Sequence, residues 1–133
     1  MPAAKQKAED LLETVVKENA SDLHITAGIA PTLRVHGHLH PLDYPPLDPE
    51  QTRALAYSLI NEEQRERFEA NYELDFSYGV PGLSRYRVNL YRQRDTYALV
   101  ARRIKAYVAT IADLGLPPVL NQFALLRQGL VCV

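Results

Sequence analysis

Cysteine occurs once in this chain, as Cys132, so no disulfide can close within it. Inside Leu130-Val131-Cys132-Val133 it reads as a small buried apolar side chain rather than a nucleophile. Long apolar runs are missing too: none reaches the roughly 18 residues that cross a bilayer, and the N-terminus lacks the charged-then-apolar pattern of a secretion signal. A cytosolic protein is the expectation. No internal repeat and no low-complexity segment interrupts the chain. With 133 residues and 47% hydrophobic content it can bury one proper core, which suggests one domain with a short extension.

Excess charge is also lacking, since the net value is only −1, but the balance is uneven along the chain. Residues 1–75 carry fourteen acids and seven bases, and residues 76–133 carry two acids and eight bases. One end is therefore cationic and suited to an anionic ligand or to an acidic surface, such as a second copy of the chain would offer. Seven of the fifteen bases lie between Arg85 and Lys105. That stretch reads as two β-rich runs around the polar turn Arg92-Gln93-Arg94-Asp95. With Arg94 near the tip, Arg85 or Arg87 falls opposite Arg102 or Arg103. Like charges facing each other destabilise a sheet, so a nearby polyanion would account for them, and guanidinium forks match phosphate oxygens well.

The remaining pattern is α+β with an antiparallel sheet. Leu11, Leu12, Val15 and Val16 form one stripe of a helix over 3–17, which Asn19-Ala20-Ser21 ends. Short strands are expected over 23–26, 32–35 and 39–42, broken by Gly28, Pro31 and Gly37. Asp48-Pro49-Glu50-Gln51 and Asn61-Glu62-Glu63-Gln64 are helix starts with capping residues, the second helix running to about residue 70 with Phe68 as its apolar anchor. A strand over 73–78 precedes the hairpin. After Lys105, Thr110 to Pro118 is capped and turn-rich, like a linker between domains. A helix over 119–125 and the apolar strand Leu130–Val133 follow; an uncovered strand of that kind needs a partner, as if a further domain continued from it.

Three other groupings bear on chemistry. Ser21, Asp22 and His24 stand close in sequence, but on a strand Asp22 and His24 share a face that Ser21 does not, which disfavours a hydrolytic triad. Ser21 and Asp22 are expected to terminate the first helix and His24 to bond locally. His36, His38 and His40 alternate as zinc ligands on a strand could, although Gly37 points to a solvated turn. Tyr86, Tyr91 and Tyr97 interleave with arginine as in single-strand nucleic-acid binders. The alternation of Tyr86, Val88 and Leu90 with Arg85, Arg87 and Asn89 nevertheless favours core packing for Tyr86.

Seven short motifs occur in order: Ala20-Ser21-Asp22-Leu23-His24, Pro31-Thr32-Leu33-Arg34-Val35-His36-Gly37, Glu73-Leu74-Asp75-Phe76-Ser77, Arg85-Tyr86-Arg87-Val88-Asn89, Arg102-Arg103-Ile104, Leu114-Gly115-Leu116-Pro117 and Gly129-Leu130-Val131-Cys132-Val133. Together they resemble the N-terminal domain of the PilT-like type IV pilus retraction ATPases, within the wider secretion ATPases. The resemblance implies a PAS-like domain over 1–105, a linker over 106–127, and at 128–133 the first strand of a RecA-like ATPase domain whose phosphate-binding loop would begin next. It implies a parent that binds ATP and Mg²⁺, forms a homo-hexamer, powers twitching motility, meets an inner-membrane pilus platform protein, and lies in the cytoplasm at the membrane's inner face without contacting nucleic acid directly. The fragment alone, without the phosphate-binding loop, would be inactive. By position, Arg87 and Arg102 match family arginines that reach the nucleotide phosphate, with Arg85, Arg92 and Arg94 as supporting candidates. Gly115, Pro117 and Pro118 would set the interdomain hinge. The loop from Ala27 and Gly28 to Pro31 looks more like the retraction branch than the related pilus-extension or type II secretion ATPases. A PAS-type sensor would instead need an internal pocket.

Overall fold

A computed structural model describes residues 2–132. Helix α1 (Pro2–Lys17) leads into β1 (Asp22–Ile25), β2 (Thr32–Val35) and β3 (His38–Pro41). Helices α2 (Pro49–Ser58) and α3 (Glu62–Asn71) follow, then β4 (Glu73–Val80), β5 (Ser84–Gln93), β6 (Thr96–Ile104) and α4 (Val119–Ala124). The six strands form one antiparallel sheet in the order β3-β2-β1-β6-β5-β4. This is the expected α+β, PAS-like arrangement, in which the first and last strands meet at the sheet centre.

Strand alternation divides the sheet into two unlike faces. Leu23, Ala101 and Val88 sit side by side, as do Ile25, Leu99, Leu90 and Leu74, and all of them are buried. They pack with Leu11, Leu12 and Val15 of α1, Leu55 and Ala56 of α2, and Phe68 of α3. The Tyr86 hydroxyl crosses this core to donate to the Leu12 carbonyl at 2.8 Å, so the buried tyrosine keeps its polar end satisfied.

Local chemistry fixes the helix ends. In α3 the Asn61 side chain accepts from the Gln64 amide at 2.9 Å while Gln64 Oε1 accepts from the Asn61 amide at 3.0 Å; Asp48 and Gln51 do the same for α2. Such boxes satisfy donors that the first helical turn leaves over. Asn61→Ala is therefore expected to cost about 1 kcal/mol, read as a lower urea midpoint with an unchanged slope.

The β5–β6 hairpin closes on a two-residue turn, with Gln93 opposite Thr96 and positive φ at both Arg94 (48°) and Asp95 (62°). Left-handed residues at both central positions match the strand twist. His36 (φ 48°) and Gly37 (φ 84°) make the same turn between β2 and β3. His36 is therefore off the strand that holds His38 and His40, and the three do not share one face.

Several expectations need correction. Asp22 does not end α1; it is the first residue of β1 and is buried, because its carboxylate is bonded within the sheet. His24 does not bond locally: its Nε2 is buried without a partner among the described residues. Cys132 is exposed rather than buried, since nothing among the described residues packs on it. Leu130–Cys132 join no ladder among the described residues, and Val133, the end of the last motif, lies outside them. Beyond Lys105 the side chains largely leave the core, with Val108, Leu125 and Leu130 each more than 80% exposed.

Candidate functional site

The face of the sheet away from α1, α2 and α3 carries a continuous cross-strand row: Leu39, Arg34, Asp22, Arg102, Arg87 and Ser77, one from each strand. The adjacent row is Pro41, Thr32, His24, Val100, Asn89 and Asp75. Of the four expected pairings, the register selects Arg87 against Arg102, and it places Arg85 against Ile104 and Arg103 against Tyr86.

Two like charges face each other here, yet the sheet needs no external anion to tolerate them, because carboxylates stand on either side. Arg102 Nε donates to Asp22 Oδ1 at 2.9 Å, and Arg87 Nε lies 4.0 Å from Asp75 Oδ1. Asp22 is the hub. Its side chain is 4% exposed, Ser21 Oγ donates to its Oδ2 at 2.7 Å, and Arg34 Nε lies 3.8 Å from the same oxygen. By contrast, the side chains of Arg87 and Arg102 are each 72% exposed. They line a cavity of about 320 Å³ with Asp75, Asn89 and Val100. The Arg87–Asp75 pair is too long and wet to hold its guanidinium firmly.

Burial pushes the Asp22 carboxyl upward, but the bonds from Ser21 and Arg102 outweigh it and hold the group below its ordinary value. Asp22 is thus ionised at neutral pH. Burial, then the Arg34 charge, holds His24 below the ordinary imidazole value, so it is neutral there. Because the folded-state value of Asp22 is depressed, its stabilising share is complete above about pH 4, the unfolded value, and disappears as pH falls through the lower folded value. Asp22→Asn should therefore lose less stability than the parent between pH 5 and pH 2, as measured by urea midpoints.

The other arginines separate. Arg85 is on the same face, donating from Nη2 to Ser77 Oγ at 3.2 Å. Arg92 faces the helices, with its guanidinium carbon 4.5 Å from the Tyr72 ring centroid and an ion pair to Asp95. Arg94 occupies the hairpin turn. Tyr86 and Tyr97 also face the helices, Tyr97 meeting Phe68 edge-to-face at 5.1 Å, so of the three interleaved tyrosines Tyr91 alone shares the outward face with Arg87. Gly115 has φ 66°, and Pro117 and Pro118 directly precede α4. Asp22 and Arg34 were readable as motif residues, but not Asp22 as the carboxylate between Arg34 and Arg102, because that meeting depends on strand order.

No protein-family model matches the chain. Among curated proteins it is 41% identical over 123 residues to the type IV pilus ATPase PilU of Pseudomonas aeruginosa, covering 92% of this chain and 32% of PilU. It is 40% identical over 124 residues to the pilus retraction ATPase PilT of the same organism, covering 93% of this chain and 36% of PilT. The crystal structure of the pilus retraction motor PilT with bound ADP superposes with a TM-score of 0.73 at 38% identity, covering 84% of this chain and 33% of that one. The chain's homologues are the PilT-like pilus ATPases. It spans about a third of the length of these relatives. The PilT-like sheet thus carries the arginine row as part of a fold shared with a nucleotide-bound motor. No helix among the described residues is long and apolar enough to cross a membrane.

Proposed function

We propose that this chain is the N-terminal domain of a hexameric, ATP-driven motor for type IV pilus retraction, and that Arg87 and Arg102 contact the nucleotide phosphate across a domain boundary. The observation that carries the reading is the direct pairing of two exposed guanidiniums at one cavity. Phosphate fits them. Arg102 commits only its Nε to protein, which leaves its Nη groups uncommitted among the described residues. A guanidinium held by one nitrogen can present the others to charge developing on a terminal phosphate. Arg85, on the same face but lining a neighbouring cavity, would be a supporting contact.

Among the described residues no three His, Cys, Asp or Glu side chains converge as metal ligands, so Mg²⁺ accompanying ATP would be held by the remainder of the parent. Residues 106–127, with Gly115, Pro117 and Pro118, would hinge that remainder against this domain as phosphate is gained and lost. The motor would act in the cytoplasm against an inner-membrane platform protein. A pilus-extension or secretion ATPase is the alternative, and loss of twitching on deleting the full-length gene, with pili retained, would separate it from retraction.

The test is ATP turnover by the full-length protein carrying Arg87→Ala or Arg102→Ala, with the oligomer followed by light scattering. Slow turnover by intact oligomers supports the reading. Normal turnover removes these side chains from the phosphate.

A further inference from the structure

We propose that Asp22 is the positioning residue for Arg102, holding it by Nε while its Nη groups meet phosphate, with Arg34 as the second cation that keeps the Asp22 carboxylate paired. This rests on the reading of Arg102 as a phosphate contact.

Arg102 is the more firmly held of the two exposed arginines. It has one short bond to protein, through Nε at 2.9 Å, and the acceptor is a carboxylate that is itself 4% exposed. A buried acceptor fixes direction because it cannot follow solvent. Both of its oxygens are engaged, Oδ1 by Arg102 and Oδ2 by Ser21 at 2.7 Å. Asp22 is also directly opposite Arg102 on one side and Arg34 on the other, so three neighbouring strands bring the charges into line. A long side chain otherwise keeps many rotamers; holding it at Nε removes most of them in advance.

Arg34 explains how the buried charge stays paired. Its Nε is 3.8 Å from Asp22 Oδ2, beyond a good hydrogen bond, while its Nη1 is tied to the Gly37 carbonyl at 3.0 Å. A buried carboxylate stripped of its cation is costly. As the Arg102 Nη groups engage phosphate and share their charge with it, a shift of under ~1 Å brings Arg34 to bonding distance of the same carboxylate. Two arginines on one carboxylate let Arg102 share its charge with phosphate without stranding Asp22. The groups facing Asp22 are Ser21 and His24 on its own segment, Arg34 on β2 and Arg102 on β6. His24 is neutral near pH 7, so it adds no competing ion there.

The experiment uses the full-length protein with Asp22→Asn, Arg102→Ala and the double variant, measuring kcat and KM for ATP and the affinity for ADP. Asparagine keeps the shape and one acceptor while removing the charge. The expected result is a kcat at least tenfold lower for Asp22→Asn with ADP affinity unchanged, because ADP lacks the terminal phosphate. In the Arg102→Ala background, Asp22→Asn should add less than a twofold further loss, since Asp22 acts through Arg102. If Asp22→Asn lowers the yield of folded protein, Asp22→Asn with Arg34→Gln removes one charge of each sign and is judged by the same criteria. Slow Arg102→Ala with normal Asp22→Asn overturns the positioning role alone. So does an Asp22→Asn loss that multiplies with that of Arg102→Ala or weakens ADP equally, which marks general loosening. Normal Arg102→Ala overturns the phosphate reading itself.

Discussion

Arg102→Ala in the full-length protein should lower kcat for ATP by about a thousandfold or more while leaving the oligomer assembled. The size follows from what a guanidinium does at a phosphoryl group: it meets charge that grows only as the transition state is approached, in a site that excludes water. Arg102→Lys should recover little of the loss. An ammonium has no second edge to offer phosphate once one donor is committed to Asp22, whereas a guanidinium bonded through Nε retains both Nη groups. Arg87→Ala should be similarly harmful, and the double variant hardly worse than either alone, since two groups acting on one phosphate are not additive. Stopped-time phosphate release, with the melting temperature checked in parallel, is the measurement. A loss of ten-fold or less in folded Arg102→Ala would place the side chain outside the transition state.

The largest effect on stability should come from Phe68→Ala, about 3–5 kcal/mol, read from chemical denaturation of the described domain. Phe68 is completely buried, and it is the one residue of α3 that is buried at all. The rest of the helix is Glu62-Glu63-Gln64-Arg65-Glu66-Arg67 and Glu69-Ala70-Asn71, with no apolar stripe to take over. Truncation therefore leaves a cavity beside Tyr97, whose ring is 5.1 Å away, and also removes the anchor of α3. Small domains have only about 5–15 kcal/mol in total. The variant should show α3 amides exchanging far faster than those of β5; equal protection in both would mean that α3 is held by something other than Phe68.

Most of the architecture was legible because it rests on local signals. The capping boxes at Asp48 and Asn61, the breaks at Gly28 and Gly37, and the alternation through Arg85 to Leu90 each act within a few residues, and the structure follows them. The hairpin register was legible only to within a residue or two, since the turn at Arg94 put Arg85 or Arg87 opposite Arg102 or Arg103 without choosing among them. What could not be read was β1 between β2 and β6, a pairing that spans 80 residues between Asp22 and Arg102. Without it Asp22 looked like the end of a helix, and Arg34 had no connection to the site. Arg92 misled for the same reason in reverse: sequence grouped it with the arginines, while strand alternation turned it to Tyr72 on the helix side. Cys132 was judged by its apolar neighbours, and neighbours in sequence do not bury a residue.

Strand β1 alternates between two jobs within four residues. Asp22 grips the arginine, and Leu23 immediately after it is wedged into the interior beside Ala101, itself next to Arg102. A close-packed interior transmits displacement instead of absorbing it. Any pull on the guanidinium is consequently felt by the oily side of the same two strands, and the whole body must travel with it. If phosphate pulls on the guanidinium as proposed, the domain would travel as a rigid lever, and compliance would come from the chain beyond Ile104.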